Sequence, residues 1–360
     1  MNPRERWQRV FHFQKVDRIP NYEFGYWDQL YPEWHAQGLP VEVKDEKAAD
    51  AYFGLDRKVI VGPPLGLIPS FKARTLRVED GRRVYQDAEG VICEVHDSGE
   101  ASIPHYLEFP IKDRASWSCF KERLNPRSPQ RQVANMDEIA ERCRRSEVPV
   151  GINIGSLLGK PRDWTGFEQI ALLAYDDPEL VDDMVETQCQ LIMHGITPFL
   201  ERIEFDYAAG WEDFCFNNGP LFSPAMLREF LLPRYKRISC LLRQHGVDVI
   251  WTDCDGNITE VVDIWLEAGY NCMFPIEVRA GSDPVMLRRK YGKELLLLGG
   301  FDKMVLYRDR DAILNELKRL APVVEEGGFI PHVDHRVPCG VPLDNYLYYH
   351  REKRALLGYH

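Results

Sequence analysis

Short, continuous runs of apolar residues alternate with segments of helical periodicity through most of this sequence. The pattern is clearest at residues 246–277, where an apolar run at 247–251 leads into a polar loop, a helical segment and a second apolar run at 272–276. Continuous apolar strands, rather than alternating ones, are typical of a parallel sheet that is covered on both faces. This region therefore predicts a strand, a loop, a helix and a second strand.

The same rhythm predicts eight strands along the chain. Helices are predicted between the strands, including one that begins at Ser223-Pro224, because serine followed by proline is a standard helix N-terminus. An eight-stranded (β/α)8 TIM-like barrel fits this count best, with an open doubly wound sheet as the alternative. The predicted strands cover residues 22–26, 58–61, 150–156, 203–207, 247–251, 272–276, 295–302 and 329–333.

Residues 70–112 depart from this rhythm. Alternating positions with two turn signals, EDGR and DAEG, predict antiparallel β-hairpins. We expect a hairpin insertion that covers one mouth of the barrel and carries no chemistry of its own. The sequence has no internal repeat and no low-complexity linker, so residues 1–360 are predicted to form a single domain.

Composition narrows the class of protein. The net charge of −11 disfavours nucleic acid as a partner, because binding to phosphates requires a basic surface. No apolar run of about 18 residues and no signal-peptide core are present, so we expect neither a membrane span nor export. Nine scattered cysteines without a CxxC pair are typical of reduced thiols. These features predict a cytoplasmic, enzyme-sized protein that binds a small molecule, with a homodimer as one option.

Acidic residues and a histidine follow several predicted strands. Asp253 and Asp255 follow the run at 247–251, Glu277 follows the next strand, and His335 follows the last one. In a βα barrel these loops meet at one rim, where ligands bind. Zinc, manganese and iron accept such mixed nitrogen and oxygen ligands, so these four residues are candidate metal ligands. The alternative for Asp255 alone is a turn that serves only backbone amides.

Further residues near the predicted rim are candidates for catalysis or binding. Glu212 and Asp213 form an acidic pair that can supply a general acid or accept a hydrogen bond from substrate, with helix capping as the alternative. Arg162 and Arg336 can each hold a substrate carboxylate through two hydrogen bonds. A solvated arginine is the more common outcome for a single loop residue.

The segment IPHVDHRVP places Asp334 between His332 and His335. A carboxylate beside an imidazole can fix its tautomer, which suits proton transfer or metal binding. We expect His335 to be functional and His332 not to be. The predicted catalytic residues are Asp255, His335 and Glu212.

The motifs of this chain resemble the uroporphyrinogen decarboxylase superfamily. The resemblance covers most of the chain and implies a distorted βα barrel. It also implies one of two activities, either decarboxylation or zinc-dependent methyl transfer to or from a corrinoid or a thiol such as coenzyme M. The motifs are DCDGNITEVV, WLEAGYNCMFPIEVRAGSDPVMLRRKYG, LLLLGGFDK and GGFIPHVDHRVP, together with VDRIPNYEFGYW, YPEW and GINIGSLLG nearer the N-terminus.

The resemblance to the decarboxylases fails at their first-strand motif, RQAGRYLPEF. Its two arginines bind the acetate and propionate groups of the tetrapyrrole. Matching its PE to Pro32-Glu33 places Gly25 and Gln29 at the arginine positions. We therefore expect that this chain is not an authentic uroporphyrinogen decarboxylase.

The resemblance to the methyltransferases extends to the metal ligands by position. In those proteins a His-x-Cys motif and a cysteine near the last strand hold zinc, and Asp253, Asp255 and His335 fall at the three places here. The resemblance thus implies a divalent metal, with zinc as the first candidate, held by harder ligands. It also implies a corrinoid as co-substrate, carried on a partner protein.

Aromatic residues near the N-terminus complete the hypothesis. Tyr22, Tyr26 and Trp27 are predicted to bind a methyl donor such as a methoxylated aromatic compound. The leading hypothesis is a metal-assisted methyltransferase. The alternatives are a decarboxylase of a tetrapyrrole or another carboxylic acid, and a non-catalytic barrel that binds a ligand or a corrinoid protein.

Overall fold

The structure, a computed structural model, describes residues 1–96 and 104–359. Its elements are numbered here in chain order. The strands in these ranges are β1 (Val59–Val61), β2 (Arg74–Glu79), β3 (Arg82–Gln86), β4 (Ile92–His96), β5 (His105–Glu108), β6 (Val150–Gly155), β7 (Tyr207–Trp211), β8 (Cys215–Phe216), β9 (Gly219–Pro220), β10 (Ile250–Asp253), β11 (Cys272–Phe274), β12 (Leu296–Phe301) and β13 (Phe329–Val333). The α-helices are α1 (Pro3–Phe11), α2 (Leu30–Ala36), α3 (Glu46–Phe53), α4 (Arg114–Lys121), α5 (Met136–Arg144), α6 (Gly159–Thr165), α7 (Phe167–Asp176), α8 (Pro178–Leu200), α9 (Pro224–Phe230), α10 (Leu232–Gln244), α11 (Val262–Ala268), α12 (Pro284–Tyr291), α13 (Arg310–Glu326) and α14 (Leu343–Leu356).

The centre of the fold is a parallel sheet with the strand order β1-β6-β7-β10-β11-β12-β13. Every neighbouring pair in it is parallel, and each connection carries helices, as the apolar pattern predicts. The predicted TIM-like barrel is confirmed. None of the helices in the described ranges is both long enough and apolar enough to cross a lipid bilayer.

The strand predicted at residues 22–26 is not formed. Tyr26 makes one isolated parallel bridge to Val337, beyond β13. At its other side, the carbonyl oxygen of Asn21 accepts a hydrogen bond of 2.9 Å from the backbone of Asp56, just before β1. The segment therefore lies between the two edge strands and forms the eighth part of the barrel wall without being a regular strand.

A buried ion pair explains the irregularity. The side chain of Glu23 accepts a hydrogen bond of 2.8 Å from the backbone N–H of Val333, a donor that a neighbouring strand would otherwise use. The same carboxylate lies 3.1 Å from Nζ of Lys353, and both side chains are completely buried. In this segment the Glu23 side chain thus replaces a backbone hydrogen bond that a regular strand would make to β13.

Further boundaries differ from the sequence prediction. The strand predicted at 247–251 is β10, which runs Ile250–Asp253, and the strand predicted at 272–276 is β11, which ends at Phe274. The strand predicted at 203–207 is β7, which begins only at Tyr207, because the apolar residues before it are buried in the turn after α8 without pairing. Asp206 ends that turn by accepting a hydrogen bond of 2.7 Å from Val150 N–H. The loop predicted after β6 contains α6, so Arg162 lies on a helix.

The predicted hairpin block contains a four-stranded antiparallel sheet, in the order β2-β3-β4-β5. Part of the block, residues 97–103, lies outside the described residues. The turn between β3 and β4 is joined to α6, because Glu89 pairs with Lys160 at 2.6 Å and accepts a hydrogen bond of 2.5 Å from Trp164 Nε1. The insertion is therefore anchored beside the barrel; its role as a cover, and the single-domain assignment, stay predictions.

The barrel is closed at its amino-terminal end and open inside. Trp7 of α1 packs against Tyr207, with ring centroids 5.0 Å apart. A Cβ on Gly151 would meet the Tyr207 ring at 2.2 Å, so this face of β6 is turned inward. Asn153 shares that face and Ile60 pairs with Gly151, yet Asn153 is exposed and Ile60 is 45% exposed. Inward-facing side chains that are exposed define a solvent-accessible lumen.

Candidate functional site

Three aspartates meet at the carboxyl-terminal rim of the sheet. Asp213 follows β7, Asp253 ends β10 and Asp255 lies two residues further on. One carboxylate oxygen from each lies within 4.8 Å of the others. Because β7 and β10 are neighbours, with Asp253 paired to Trp211, their loops leave the sheet side by side. We call Asp213, Asp253 and Asp255 the rim triad.

Backbone geometry holds the triad together. Asp213 has a φ of +45°, a conformation that aspartate tolerates better than most residues. Its carboxylate accepts a hydrogen bond of 3.2 Å from Asp255 N–H, and its carbonyl oxygen accepts one from the Arg162 guanidinium. The N–H of Glu212 donates to the carbonyl oxygen of Asp253 at 2.8 Å. The two loops are therefore tied to each other as well as to the sheet.

The negative charges of the three carboxylates of the triad repel one another. Burial, followed by the nearby charges of Asp213 and Asp255, raises the pKa of Asp253 well above its usual value. Burial, followed by the charge of Asp255, raises the pKa of Asp213 to about 6. Clustered carboxylates disfavour simultaneous ionisation unless a cation offsets their repulsion.

His335 adjoins the triad as predicted from the sequence. Its Nε2 lies 3.4 Å from Oδ2 of Asp255. The imidazole stacks on Phe24, with ring centroids 4.8 Å apart and planes inclined by 24°. The aromatic contact orients the ring, so its nitrogen faces the carboxylates.

These donors fit a divalent cation. Oδ1 of Asp255 is buried and accepts no hydrogen bond from the described residues, which is costly for a charged oxygen. Three carboxylates and an imidazole are ligands that zinc and manganese accept. Cys254, between the two aspartates of this loop, is not suited to join them, because burial holds the pKa of its thiol well above the usual value.

Glu277, a predicted metal ligand, lies outside the triad. Its Oε2 accepts a hydrogen bond of 2.8 Å from Gly256 N–H, and its Oε1 lies 2.9 Å from Nζ of Lys303. Both oxygens are thus engaged, and the side chain supports the loop that carries Asp255. A metal-binding role for Glu277 stays a prediction that this geometry does not favour.

Glu212 is also engaged by the protein. Its carboxylate is buried and accepts hydrogen bonds from Ser156 Oγ, from the backbone N–H groups of residues 157–159 and from the Tyr235 hydroxyl, at 2.8–3.0 Å. These five donors use the oxygen lone pairs fully. Glu212 therefore positions the start of α6, and the geometry leaves it no oxygen for a substrate.

The histidine and aspartate beside His335 are structural in this arrangement. His332 is buried, and burial lowers its pKa to about 3, so the ring is neutral. Asp334 accepts hydrogen bonds from the backbone N–H groups of Val278 and Lys303, at 2.9 and 3.0 Å. Its carboxylate thus joins neighbouring rim loops.

The two candidate arginines have acidic partners. Arg162 contacts Asp163 at 2.9 Å, and Arg336 contacts Glu46 at 3.0 Å. A Cβ on Gly25 would meet Glu46 Oε2 at 2.8 Å and Arg336 Nη1 at 3.0 Å. The glycine therefore makes room for the second ion pair where the resemblance expects an arginine of the decarboxylases.

The predicted aromatic wall divides into two parts. Tyr26 is 1% exposed and its hydroxyl is 2.8 Å from that of Tyr346, so it belongs to the core. Tyr22 is also buried. Trp27 remains at the rim, with its ring centroid 6.1 Å from that of His335. The substrate-binding roles of these residues stay predictions.

A different row of rings reaches the site, and the sequence analysis missed it. Trp251 and Phe274 lie 6.0 Å apart with planes at 20°, and Phe274 and Phe24 lie 5.0 Å apart with planes at 2°. Phe24 then stacks on His335. We call Trp251, Phe274 and Phe24 the aromatic row. Its one sequence signal is that Trp251 stands two positions before Asp253, on the same face of the strand.

Asp213 was considered only as a proton donor or acceptor, not as a ligand. Its place in the triad depends on the neighbouring positions of β7 and β10 in the sheet, which follow from the strand order. The correct start of β7 would have placed it directly at the rim. With this correction, the fold and the rim define a βα-barrel protein with a candidate divalent-metal site.

Comparison with known families agrees with this class. Residues 122–351, nearly two thirds of the chain, match the family model described as uroporphyrinogen decarboxylase (URO-D). The chain belongs to the uroporphyrinogen decarboxylase family. Comparison with curated protein sequences gives no match.

Solved structures share the fold at low sequence identity. A methyltransferase from Methanosarcina mazei is 13% identical, with a TM-score of 0.61, over 99% of this chain and 98% of that one. A B12-independent methionine synthase from Shewanella sp. W3-18-1 is 9% identical, with a TM-score of 0.32, over 63% of this chain and 66% of that one. The first of these supports the barrel architecture.

Proposed function

We propose that this chain is a metal-assisted methyltransferase, which moves a methyl group from a small substrate to a corrinoid on a partner protein or to a thiol. The observation that carries the proposal is the rim triad, in which Oδ1 of Asp255 is buried and has no hydrogen-bond partner within residues 1–96 and 104–359. Membership of the family and the fold shared with a methyltransferase are consistent with it.

The rim triad and His335 would hold the cation. When bound, a divalent metal supplies Lewis-acid polarisation of an ether oxygen, or lowers the pKa of a thiol. Zinc remains the first candidate, and the oxygen-rich donors also suit manganese. Asp255 and His335 keep the catalytic positions that the sequence assigned to them, whereas Glu212 is a positioning residue.

The chain's own residues would orient the substrate and admit the acceptor. The half-buried rings of Phe274 and Phe24 give an apolar surface that leads to His335, so an apolar methyl donor bound against them would lie close to the triad. Asp255 is 38% exposed, which leaves the rim open to an acceptor. The ion pair of Glu277 with Lys303 keeps the loop in this geometry.

Metal content tests the first part of the proposal. Elemental mass spectrometry should find about one divalent ion per chain after reconstitution with zinc or manganese. Asp253→Asn and His335→Ala should lose most of it. His194→Ala, on the exposed face of α8, is the matched control and should retain it. Wild-type protein that binds neither ion would exclude this metal site.

Activity tests the second part. Protein loaded with metal should convert cob(I)alamin to methylcobalamin with a methyl donor from a panel that includes methoxylated aromatic acids, and Asp253→Asn should not. Absence of turnover with the whole panel and with thiol acceptors would contradict methyl transfer. Uroporphyrinogen belongs in the same assay, because loss of its carboxyl groups by mass spectrometry would favour the decarboxylase hypothesis instead.

A further inference from the structure

A lysine projects into the lumen below the rim. Lys58 directly precedes β1, and the residue two positions later, Ile60, faces inward. Nζ of Lys58 lies 4.9 Å from the ring centroid of Tyr22 and 5.5 Å from that of Trp251. The side chain is exposed although protein surrounds it. Lys58 therefore meets solvent inside the barrel, at the inner end of the aromatic row.

The charge of this lysine is not used in a direct ion pair with any residue that the structure describes. Among residues 1–96 and 104–359, Lys58 has cation–π contacts but no carboxylate at ion-pair distance. The protein that surrounds the ammonium group restricts its hydration and so lowers its pKa, and the more distant Asp50, Glu46 and Asp253 act in the opposite direction. By contrast, Lys303 and Lys353 near the site each contact a carboxylate directly.

We infer that Lys58 binds the anionic group of the substrate, whose flat apolar body lies along the aromatic row with its reacting end at the rim triad. This inference rests on the proposed function and names its substrate class: an aromatic or similarly flat compound that carries a carboxylate or an equivalent anion at one end and the methyl donor at the other. A lysine ammonium group that lies beside aromatic side chains and still has N–H groups to donate is suited to such a ligand.

The distribution of charge sets the orientation. The three carboxylates of the rim exceed the charge of one divalent cation, so the rim stays net negative and disfavours an anion. The floor of the lumen carries the Lys58 ammonium group, which has no ion-pair partner among the described residues. Between them the rings of Trp251, Phe274 and Phe24 follow one another with planes within about 20° of each neighbour. Asn153 is exposed on β6, the strand next to β1, and its Oδ1 accepts a hydrogen bond of 2.9 Å from Gly155 N–H, so it adds a polar group to this part of the lumen.

Equilibrium binding of two probes of the same shape tests the inference. Isothermal titration calorimetry would compare 3-methoxybenzoate with the neutral 3-methoxybenzamide on the wild type, on Lys58→Met and on Lys58→Arg. We expect the wild type to prefer the anion by about tenfold or more, because hydrogen bonds to a charged group are worth about 1.5–3 kcal/mol. Lys58→Met should bind both probes with similar affinity, and Lys58→Arg should retain part of the preference.

A second lysine variant controls for net charge. Lys318→Met removes the same charge from the exposed face of α13 and should keep the wild-type preference. The inference is wrong if the wild type shows no preference for the anion or binds neither probe. It is also wrong if Lys58→Met keeps the preference; a changed metal affinity in that variant would indicate that the lysine only balances the charge of the triad. Anion preference without methylcobalamin formation would retain the role of Lys58 and reject methyl transfer.

Discussion

Asp213→Asn tests two properties of the rim triad separately: how much its charge repulsion lowers the free energy of unfolding, and how much it contributes to metal binding. Asparagine has the same shape, and its Oδ1 can still accept the hydrogen bond from Asp255 N–H. It also tolerates the positive φ of this position. The substitution therefore removes one negative charge and changes little else.

The magnitude follows from the pKa of Asp213, which is raised from 3.8 to about 6. Because the folded state holds this proton more tightly than the unfolded state, the free energy of unfolding falls as pH rises from about 4 to about 6. A shift of this size corresponds to about 3 kcal/mol at pH 8. Partial exposure of the carboxylate reduces the effect to about 1–2 kcal/mol.

Urea unfolding at pH 8 and pH 5, each with EDTA or with excess zinc, measures the effect. In EDTA at pH 8 the variant should be about 1–2 kcal/mol more stable than the wild type, and the difference should shrink at pH 5. Zinc should reverse the order, since a ligand at 100 times its Kd stabilises the wild type by about 2.7 kcal/mol. The variant, with one ligand fewer, should gain much less.

Two outcomes would refute this reasoning. Equal stabilities in EDTA at pH 8 would show that the triad is not electrostatically strained. A difference that does not depend on pH would show that the substitution acts through packing. Asp176→Asn, an exposed position at the end of α7, is the control and should change stability by no more than about 0.5 kcal/mol.

Three further predictions concern the residues that support the site. Glu212→Gln should lower the free energy of unfolding in urea by about 2–4 kcal/mol, because its amide N–H groups would face backbone N–H donors. The folded variant should keep its metal, and loss of metal without loss of stability would instead assign Glu212 to the metal site. Lys353→Met should lower the free energy of unfolding by about 3–5 kcal/mol, because it leaves the Glu23 carboxylate buried without its cation. The double variant that also carries Glu23→Gln should recover much of this loss, and losses that simply add would contradict the coupling of the two residues. Ser223→Ala should cost about 1 kcal/mol by removing the cap on Met226 N–H, with Ser223→Asn as the variant that preserves it, so equal losses in both would point away from capping.

Local patterns predicted several elements well. The last strand, Phe329–Val333, agrees with the sequence prediction, because a continuous apolar run between glycines and a polar loop has few alternative structures. The helix predicted to begin at Ser223-Pro224 is also formed, with Ser223 as the N-cap of α9. The prediction failed at β7, where Ile203 and Phe205 are apolar and buried but lie in a turn. Burial of a residue indicates that it contacts the core, and not that its backbone is paired.

The position of several candidate residues at the rim was also predictable, although their roles in the site stay predictions. Asp253, Asp255 and His335 were placed at the rim because each follows a strand, and the structure brings them together. Glu277 satisfies the same rule, yet a salt bridge with Lys303 engages it. Sequence position determines that a side chain reaches the rim, whereas its partners there depend on residues far away in the chain.

The sequence by itself determined the parallel barrel, the rim where the acids gather and the missing arginines at positions 25 and 29. These properties depend on local periodicity and on residue type. Only the tertiary structure decided that Asp213 joins the triad, that an aromatic row leads into the lumen and that Lys58 meets solvent there with no ion-pair partner among the described residues. The physical reason is that charge repulsion, ring stacking and ion pairing act between side chains within a few ångströms, and the order of the strands sets which side chains come that close.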